Sequence, residues 1–450
     1  MEDRGSLPAD LWIRDVTLLP MAPDAATVLP HMDLGIAGPV IAAVQPTGAP
    51  LPRRARVLEG AGCVALPGLV NCHTHVDMAL FRGTGEGARL MEWLALVTQV
   101  QAQMDEEDVY WSTLLSLLEF TRHGITTFAD MSMSWASLPQ AVLESGLRAV
   151  LHQGLVDVWP HWVEKWGDGG TQVRRAADVF RAWHGAGEGR IQVGLGPHSP
   201  YGASELLLRS AATRALEWGA TLHIHLAETE EEVRQVQEVH GLTPVQYLAS
   251  VGLLDAPTLA AHAVHLTAED RALLRAKEVS VAHNPGSNLK LRSGLAPAAA
   301  LRAQGVRVGL GTDGAGSNDR LDLFREAYLA AVQQPWGADV QPSHEALHMA
   351  TLGGAQALGL DDRIGSLEVG KRADVVLVRL DVPDLTPAVD LAKTLIYAGT
   401  GCHVDTVLVD GRVLLERGAF QVLDAERILA ETRARAARLF GKPQPGPEEG

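Results

Sequence analysis

The chain has 450 residues, 46% of them hydrophobic, and a formal net charge of −16 at pH 7. That length suits two or three domains, or one large α/β barrel with additions. The negative balance argues against nucleic acid and against an anionic membrane surface as partners, but it does not forbid a small ligand in a local pocket.

Three cysteines, Cys63, Cys72 and Cys402, are too few and too scattered for a disulfide framework. The opening MEDRGSLPADLW lacks the charged-then-apolar pattern of a signal peptide. No apolar run approaches the roughly 18 residues that a membrane span needs. A cytoplasmic protein is expected.

Residues 1–65 carry short β-like runs (LWIRDVTLLP, PVIAAVQP, RRARVLEG) broken by Pro and Gly. Residues 66–364 then alternate apolar runs with helical patterns. The runs are VALPGLVNCHTH, ITTFADM, RAVLHQGLVD, IQVGLGPHS, TLHIHLAE, TLAAHAV, SVAHNPG and RVGLGTDG. Between them lie segments such as SELLLRSAATRALEWG, apolar at helical spacing and stopped by Gly219. Strand followed by helix, repeated eight times, predicts a (β/α)8 TIM-type barrel with its chemistry at the C-terminal strand ends. Residues 365–425 return to short β runs, among them ADVVLVRL and HVDTVLVDG. Neither flank is large enough for a core of its own, so the two are expected to combine into one small β-sandwich. Residues 426–450 are read as a terminal helix and a flexible tail, GKPQPGPEEG.

Polar residues accumulate at the predicted strand ends. In NCHTH, His73 and His75 alternate and share one face of a strand, which on a barrel strand is the interior. Two converging imidazoles suggest a metal, although a surface strand with two solvated histidines has the same spacing. The fifth run adds His223, His225 and Glu228, the sixth His262 and His265, the seventh His283 and the eighth Asp313. One barrel mouth would bring these residues within ligand distance. Three histidines and a carboxylate make a site for one divalent cation with a position left for water, and His73, His75, His225 and Asp313 are the candidate ligands. Parity puts His223 on the same face as His225, but nearness to the strand end favours His225 and leaves His223 as a packed interior histidine. The fourth run contains no lysine that could bridge a metal pair, so a single ion is expected. Glu228 is placed to shuttle protons, and His262 and Asp313 to position the attacking water. A satisfied core histidine is the lesser alternative for His262, and His265 and His283 stay open between the two readings.

PGLVNCHTH, GPHSPY (196–201), HLAET (225–229), AAHAVHL (260–266), HNPGSNLKL (283–291), GTDGAGSN (311–318) and GSLEVGKRADVVLV (365–378) together resemble the amidohydrolase superfamily. More narrowly they resemble its branch of 5-methylthioadenosine/S-adenosylhomocysteine deaminases and triazine hydrolases. The resemblance covers nearly the whole chain. It implies zinc, or iron(II), at the four ligand positions, Glu228 as proton shuttle, His262 as water-orienting base, and His198 against the substrate's ring. It also suggests a homodimer or homotetramer.

Where such deaminases carry a glutamate for ribose, LALVTQVQAQM (94–104) offers glutamines and an alanine. Gln153 and Thr171 stand where they carry arginines. Aromatic residues are present instead, Trp159, Trp162 and Trp166, which would suit a flat, less charged ligand or simply pack a long loop. Trp93, Gln153 and Trp162 join His198 as candidate substrate contacts. The expected activity is hydrolytic deamination of an aminated heteroaromatic ring, an adenosine-type nucleoside or another purine- or pterin-like base, by metal-bound hydroxide. The alternative is a triazine-type hydrolase releasing an alkylamine or halide. A non-catalytic ligand-binding relative is a remote third reading.

Overall fold

A computed structural model describes residues 9–22 and 28–441. All of the predicted tail, 441–450, except Gly441 lies outside the described residues. The N-terminal flank forms β1 (Leu11–Leu18), β2 (Leu29–Ala37), β3 (Val40–Pro46), β4 (Arg56–Glu59) and β5 (Cys63–Pro67). The eight barrel runs become β6 (Leu69–Thr74), β7 (Ile125–Ser132), β8 (Arg148–Leu155), β9 (Ile191–Pro197), β10 (Leu222–Leu226), β11 (Thr258–His262), β12 (Ser280–His283) and β13 (Val308–Leu310). The C-terminal flank supplies β14 (Val375–Arg379), β15 (Val404–Val409), β16 (Arg412–Glu416) and β17 (Ala419–Phe420).

Strands β6 to β13 are hydrogen-bonded in sequence order, every pair parallel. That is the pattern of a barrel in which each strand returns through a helix. Main chain and side chain draw the last strand against the first: Asp313 N donates to His73 O at 2.9 Å, and Thr312 N to Asn71 Oδ1 at 3.0 Å. Alternation does the sorting. In β10, Leu222, Ile224 and Leu226 join the apolar layer under the helices, while His223 and His225 take the opposite face.

The two flanks do combine. β14 runs antiparallel to β5, pairing Val375 with Pro67 and Arg379 with Cys63, so the ladder continues unbroken from β17 to β3. The expected sandwich is therefore one mixed nine-stranded sheet, and Ile13, Ile36, Ile41, Val375 and Leu408 share its core. A buried ion pair ties this sheet to the start of β8. Arg148 donates to both carboxylate oxygens of Asp374 at 3.1 Å and to Asp410 at 2.6 Å. The helix Ala425–Phe440 docks on the barrel helix Glu106–Arg122, where Arg435 reaches Glu107 at 2.7 Å and Asp108 at 3.3 Å. Among the described residues no helix is long and apolar enough to cross a membrane.

Candidate active site

Two strand ends leave the sheet in an unusual way. His262, ending β11, has φ 73°, and Asp313, three residues past β13, has φ 59°. Left-handed backbone at non-glycine residues costs about 1–3 kcal/mol and persists where the surroundings over-determine it. Here it turns both side chains toward the ends of β6 and β10.

Four groups meet at that point. Asp313 Oδ1 lies 3.6 Å from Nε2 of His73 and 3.6 Å from Nε2 of His75, and the Nε2 atoms of His75 and His225 are 3.3 Å apart. The other nitrogens are engaged. His75 Nδ1 donates to Met131 O at 2.5 Å, His225 Nδ1 donates to His198 O at 2.8 Å, and His73 Nδ1 lies 3.0 Å from His223 Nε2. With Nδ1 protonated, each ring presents a lone pair at Nε2. Two lone pairs facing each other at 3.3 Å repel, and the buried Nε2 of His73 has no protein partner. A divalent cation resolves both conditions, and a His/His/His/Asp donor set suits it. Burial pushes His73 down to about 3 and His225 well below the ordinary imidazole value, which keeps both rings neutral, as ligands must be. Asp313 Oδ2 accepts from Ser287 Oγ at 2.5 Å, which fixes the carboxylate plane.

Glu228 and His262 stand beside this cluster. Glu228 is buried, and burial raises its carboxyl above the usual range despite the nearby His262. Its Oε1 accepts from Ser293 Oγ at 3.2 Å, and its Oε2 lies 3.7 Å from His262 Nε2. His262 Nδ1 donates to Asn288 Oδ1 at 2.8 Å, leaving Nε2 free to face Glu228. Ser287 and Asn288 come from the short helix Pro285–Lys290. The motif HNPGSNLKL marked this segment, but nothing in its spacing assigned these two side chains a partner.

A cavity of about 560 Å3 opens over the cluster, with His75, His225, Glu228, His262 and Asp313 at its base. Its walls are mostly apolar and include Leu94, Met131, Met133 and Val156. Of the candidate substrate contacts, His198, Trp93 and Trp162 line it, as does Trp159. Trp159 packs edge-on against His198, with ring centroids 5.6 Å apart, and Trp93 Nε1 donates to Gly316 O at 3.2 Å. Gln153 does not line this cavity. It borders a second one, with Lys165, Trp166 and Arg175, and its amide donates to Met133 O at 3.2 Å. His265 donates to Ser293 O at 2.7 Å, supporting the Glu228 partner from outside the cluster. His283 is buried with both ring nitrogens unpartnered, and burial lowers it to about 4.

A (β/α)8 barrel that gathers three imidazoles, a carboxylate and a buried glutamic acid at its C-terminal mouth is the site of a metal-dependent hydrolase. Residues 64–414 match the model of the amidohydrolase family, and the chain belongs to that family. A 5-methylthioadenosine/S-adenosylhomocysteine deaminase of Pelotomaculum thermopropionicum is 42% identical over 446 residues, 96% of this chain and 100% of that one. A 5'-deoxyadenosine deaminase of Methanosarcina acetivorans is 41% identical, covering 86% of this chain and 89% of its own. Among solved structures, an adenosine deaminase from Xanthomonas campestris with bound zinc superposes with a TM-score of 0.90. It shares 31% identity over 97% of this chain and 100% of its own. The zinc complex of atrazine chlorohydrolase from Arthrobacter aurescens gives a TM-score of 0.85 at 27% identity, covering 95% of this chain and 100% of its own.

Proposed function

We propose that this protein hydrolyses the exocyclic amino group from the purine of an adenosine-type nucleoside and releases ammonia, using one zinc ion. The observation that carries the reading is the convergence of His73, His75, His225 and Asp313 beneath one cavity, with buried Glu228 at its edge. Near full-length similarity to three nucleoside deaminases supports the choice of substrate class, and the zinc in the Xanthomonas structure supports the choice of ion.

A divalent cation would be held by His73, His75, His225 and Asp313, and would supply Lewis acidity and lower the pKa of a water molecule there toward neutrality. The residues do the rest. Glu228, whose carboxyl burial raises above its ordinary range, gives a proton to the ring nitrogen next to the amino-bearing carbon, which makes that carbon electrophilic. His262, fixed by Asn288, orients the attacking water and holds Glu228 on its other side. Glu228 recovers a proton from that water and passes it to the departing nitrogen. The water's second proton then returns to Glu228, so the ring keeps the proton Glu228 gave it, ammonia carries one water proton and the acid is restored. His198 and Trp159 form a wall against which a flat base stacks, and Trp93 and Trp162 bound the cavity on its helical side.

The apolar outer walls favour one second reading, displacement of a halide or alkylamine from a triazine. Incubation of the zinc-loaded protein with adenosine, 5'-deoxyadenosine, methylthioadenosine, S-adenosylhomocysteine and a chlorotriazine separates the two. Ammonia from the nucleosides supports deamination. Chloride from the triazine, with the nucleosides untouched, replaces it.

A further inference from the structure

Three imidazoles run in line through the barrel interior, and only the uppermost is a candidate ligand. His73 Nδ1 lies 3.0 Å from His223 Nε2, and His223 Nδ1 lies 3.3 Å from His152 Nδ1. His152 Nε2 lies 2.9 Å from Thr221 Oγ1. The rings meet edge to face, with centroids 4.9 Å and 4.8 Å apart, and all three are buried. His152 and Thr221 border a small cavity of about 100 Å3, among residues at the N-terminal strand ends, away from the mouth.

A neutral imidazole carries one N–H and one lone pair, so this chain of contacts can run in two directions. Only the second of them lets His152 Nδ1 also donate to Asp130 O, 3.1 Å away. In the first, His73 Nδ1 donates to His223 Nε2, His223 Nδ1 donates to His152 Nδ1, and His152 Nε2 donates to Thr221 Oγ1. His73 Nε2 is then a lone pair. In the second, Thr221 donates to His152 Nε2. His152 Nδ1–H is shared between His223 Nδ1 and Asp130 O, 3.1 Å away. His223 Nε2 donates to His73 Nδ1, and the N–H of His73 Nε2 points toward Asp313 Oδ1 at 3.6 Å. A cation requires the lone pair at His73 Nε2, so it is compatible with the first direction alone.

We propose that His223 and His152 are positioning residues of a tautomer relay, which runs from His73 toward Thr221 when the ion is bound and reverses when it is not. The inference rests on the metal-dependent reading above. Reversal balances. When the ion binds, a proton leaves Nε2 of His73, each ring takes one from the ring below, and His152 Nε2 takes one from water in the small cavity. Every ring stays neutral throughout. The state of the centre is thereby recorded on His152, two rings away, which touches no ion.

The test uses the full chain with 15N-labelled histidine, stripped by a chelator and then reloaded with zinc. His152, assigned by the signal missing from His152→Phe, is expected to carry its proton on Nδ1 without zinc and on Nε2 with it. Zinc affinity, read by chelator competition, gives a second measure. His223→Leu has no acceptor for His73 Nδ1 and is expected to bind zinc about 10–100-fold more weakly. His223→Gln restores an acceptor oxygen and is expected to recover most of that loss. An unchanged His152 tautomer overturns the relay, as does wild-type zinc affinity in His223→Leu. If that variant does not fold, the tautomer comparison on the wild-type chain decides alone. A wild-type chain that takes up no zinc overturns the metal-dependent reading itself, and the relay with it.

Discussion

Glu228 Oε2 lies 3.7 Å from His262 Nε2, and each side chain is held from behind, Glu228 by Ser293 and His262 by Asn288. Both side chains also line the cavity, so the pair can exchange a proton with a molecule lying against both without either side chain swinging. Glu228→Gln keeps the shape and removes the exchangeable proton. It should lower kcat by about 10²–10⁴-fold, the usual worth of a positioned acid–base group. Zinc content, measured by elemental analysis, should stay at the wild-type level. Ammonia release near the wild-type rate would remove Glu228 from the chemistry.

Trp159 is predicted to act on binding more than on rate. Its ring meets His198 at 5.6 Å and Tyr201 at 5.9 Å, so it stiffens the wall of the cavity. Such aromatic contacts contribute about 0.5–1.5 kcal/mol each. Trp159→Ala should raise KM for a nucleoside by about three- to tenfold, since a tenfold change corresponds to about 1.4 kcal/mol, and leave kcat nearly unchanged. Steady-state kinetics separate the two parameters. A fall in kcat with KM unmoved would mean that this wall serves the chemical step instead.

Arg148 tests how the two sheets depend on each other. It is buried between Asp374 and Asp410, and those carboxylates raise its pKa further despite the opposing effect of burial. Arg148→Met leaves two buried carboxylates without their cation. Breaking a buried pair from one side costs about 3–5 kcal/mol. A melting experiment should show a large fall in Tm, and Asp374→Asn with Asp410→Asn in the same chain should recover part of it. A wild-type Tm in the single variant would show that the sheet and barrel do not rely on this contact.

The barrel was legible because its signals are local. Polar residues gather near the ends of most of the apolar runs, and alternation alone puts His73 with His75 and His223 with His225. Parity, carried one step further, also accounts for Gln153. His152 points into the barrel at His223, so its neighbour faces the helix layer and the second cavity, not the mouth. Ser287, Asn288 and Ser293 could not be assigned in the same way. A serine or asparagine in a loop carries no period, and its partner is set by folds of chain far away in sequence. The pairing of β14 with β5 is equally non-local, because it joins segments more than 300 residues apart and no window of sequence contains both. His223 illustrates the same limit in another form. Packing inside the barrel was readable, but its 3.0 Å contact with His73 was not.

Glu326 gives the pH dependence a sign. It is buried on the helix Leu323–Gln333 and accepts from Gly286 N at 2.7 Å and Asn318 Nδ2 at 2.9 Å. It thereby joins the helix that carries Ser287 and Asn288 to the loop after Asp313. Burial raises its carboxyl from 4.5 to about 7, against the lowering effect of those two donors. The unfolded chain loses this proton near 4.5, whereas the native chain holds it until about 7. Between those values the native state binds more protons, so stability must fall as pH rises. The contribution is fully present below the unfolded value and is lost as pH passes through the folded one. Glu326→Gln cannot ionise and keeps an oxygen for one of the two donors. Its Tm should therefore gain on the wild type as pH is raised from about 4.5 to about 7, and hold a constant difference above that. Parallel melting curves across the whole range would show that Glu326 is ionised in the native protein at every pH tested.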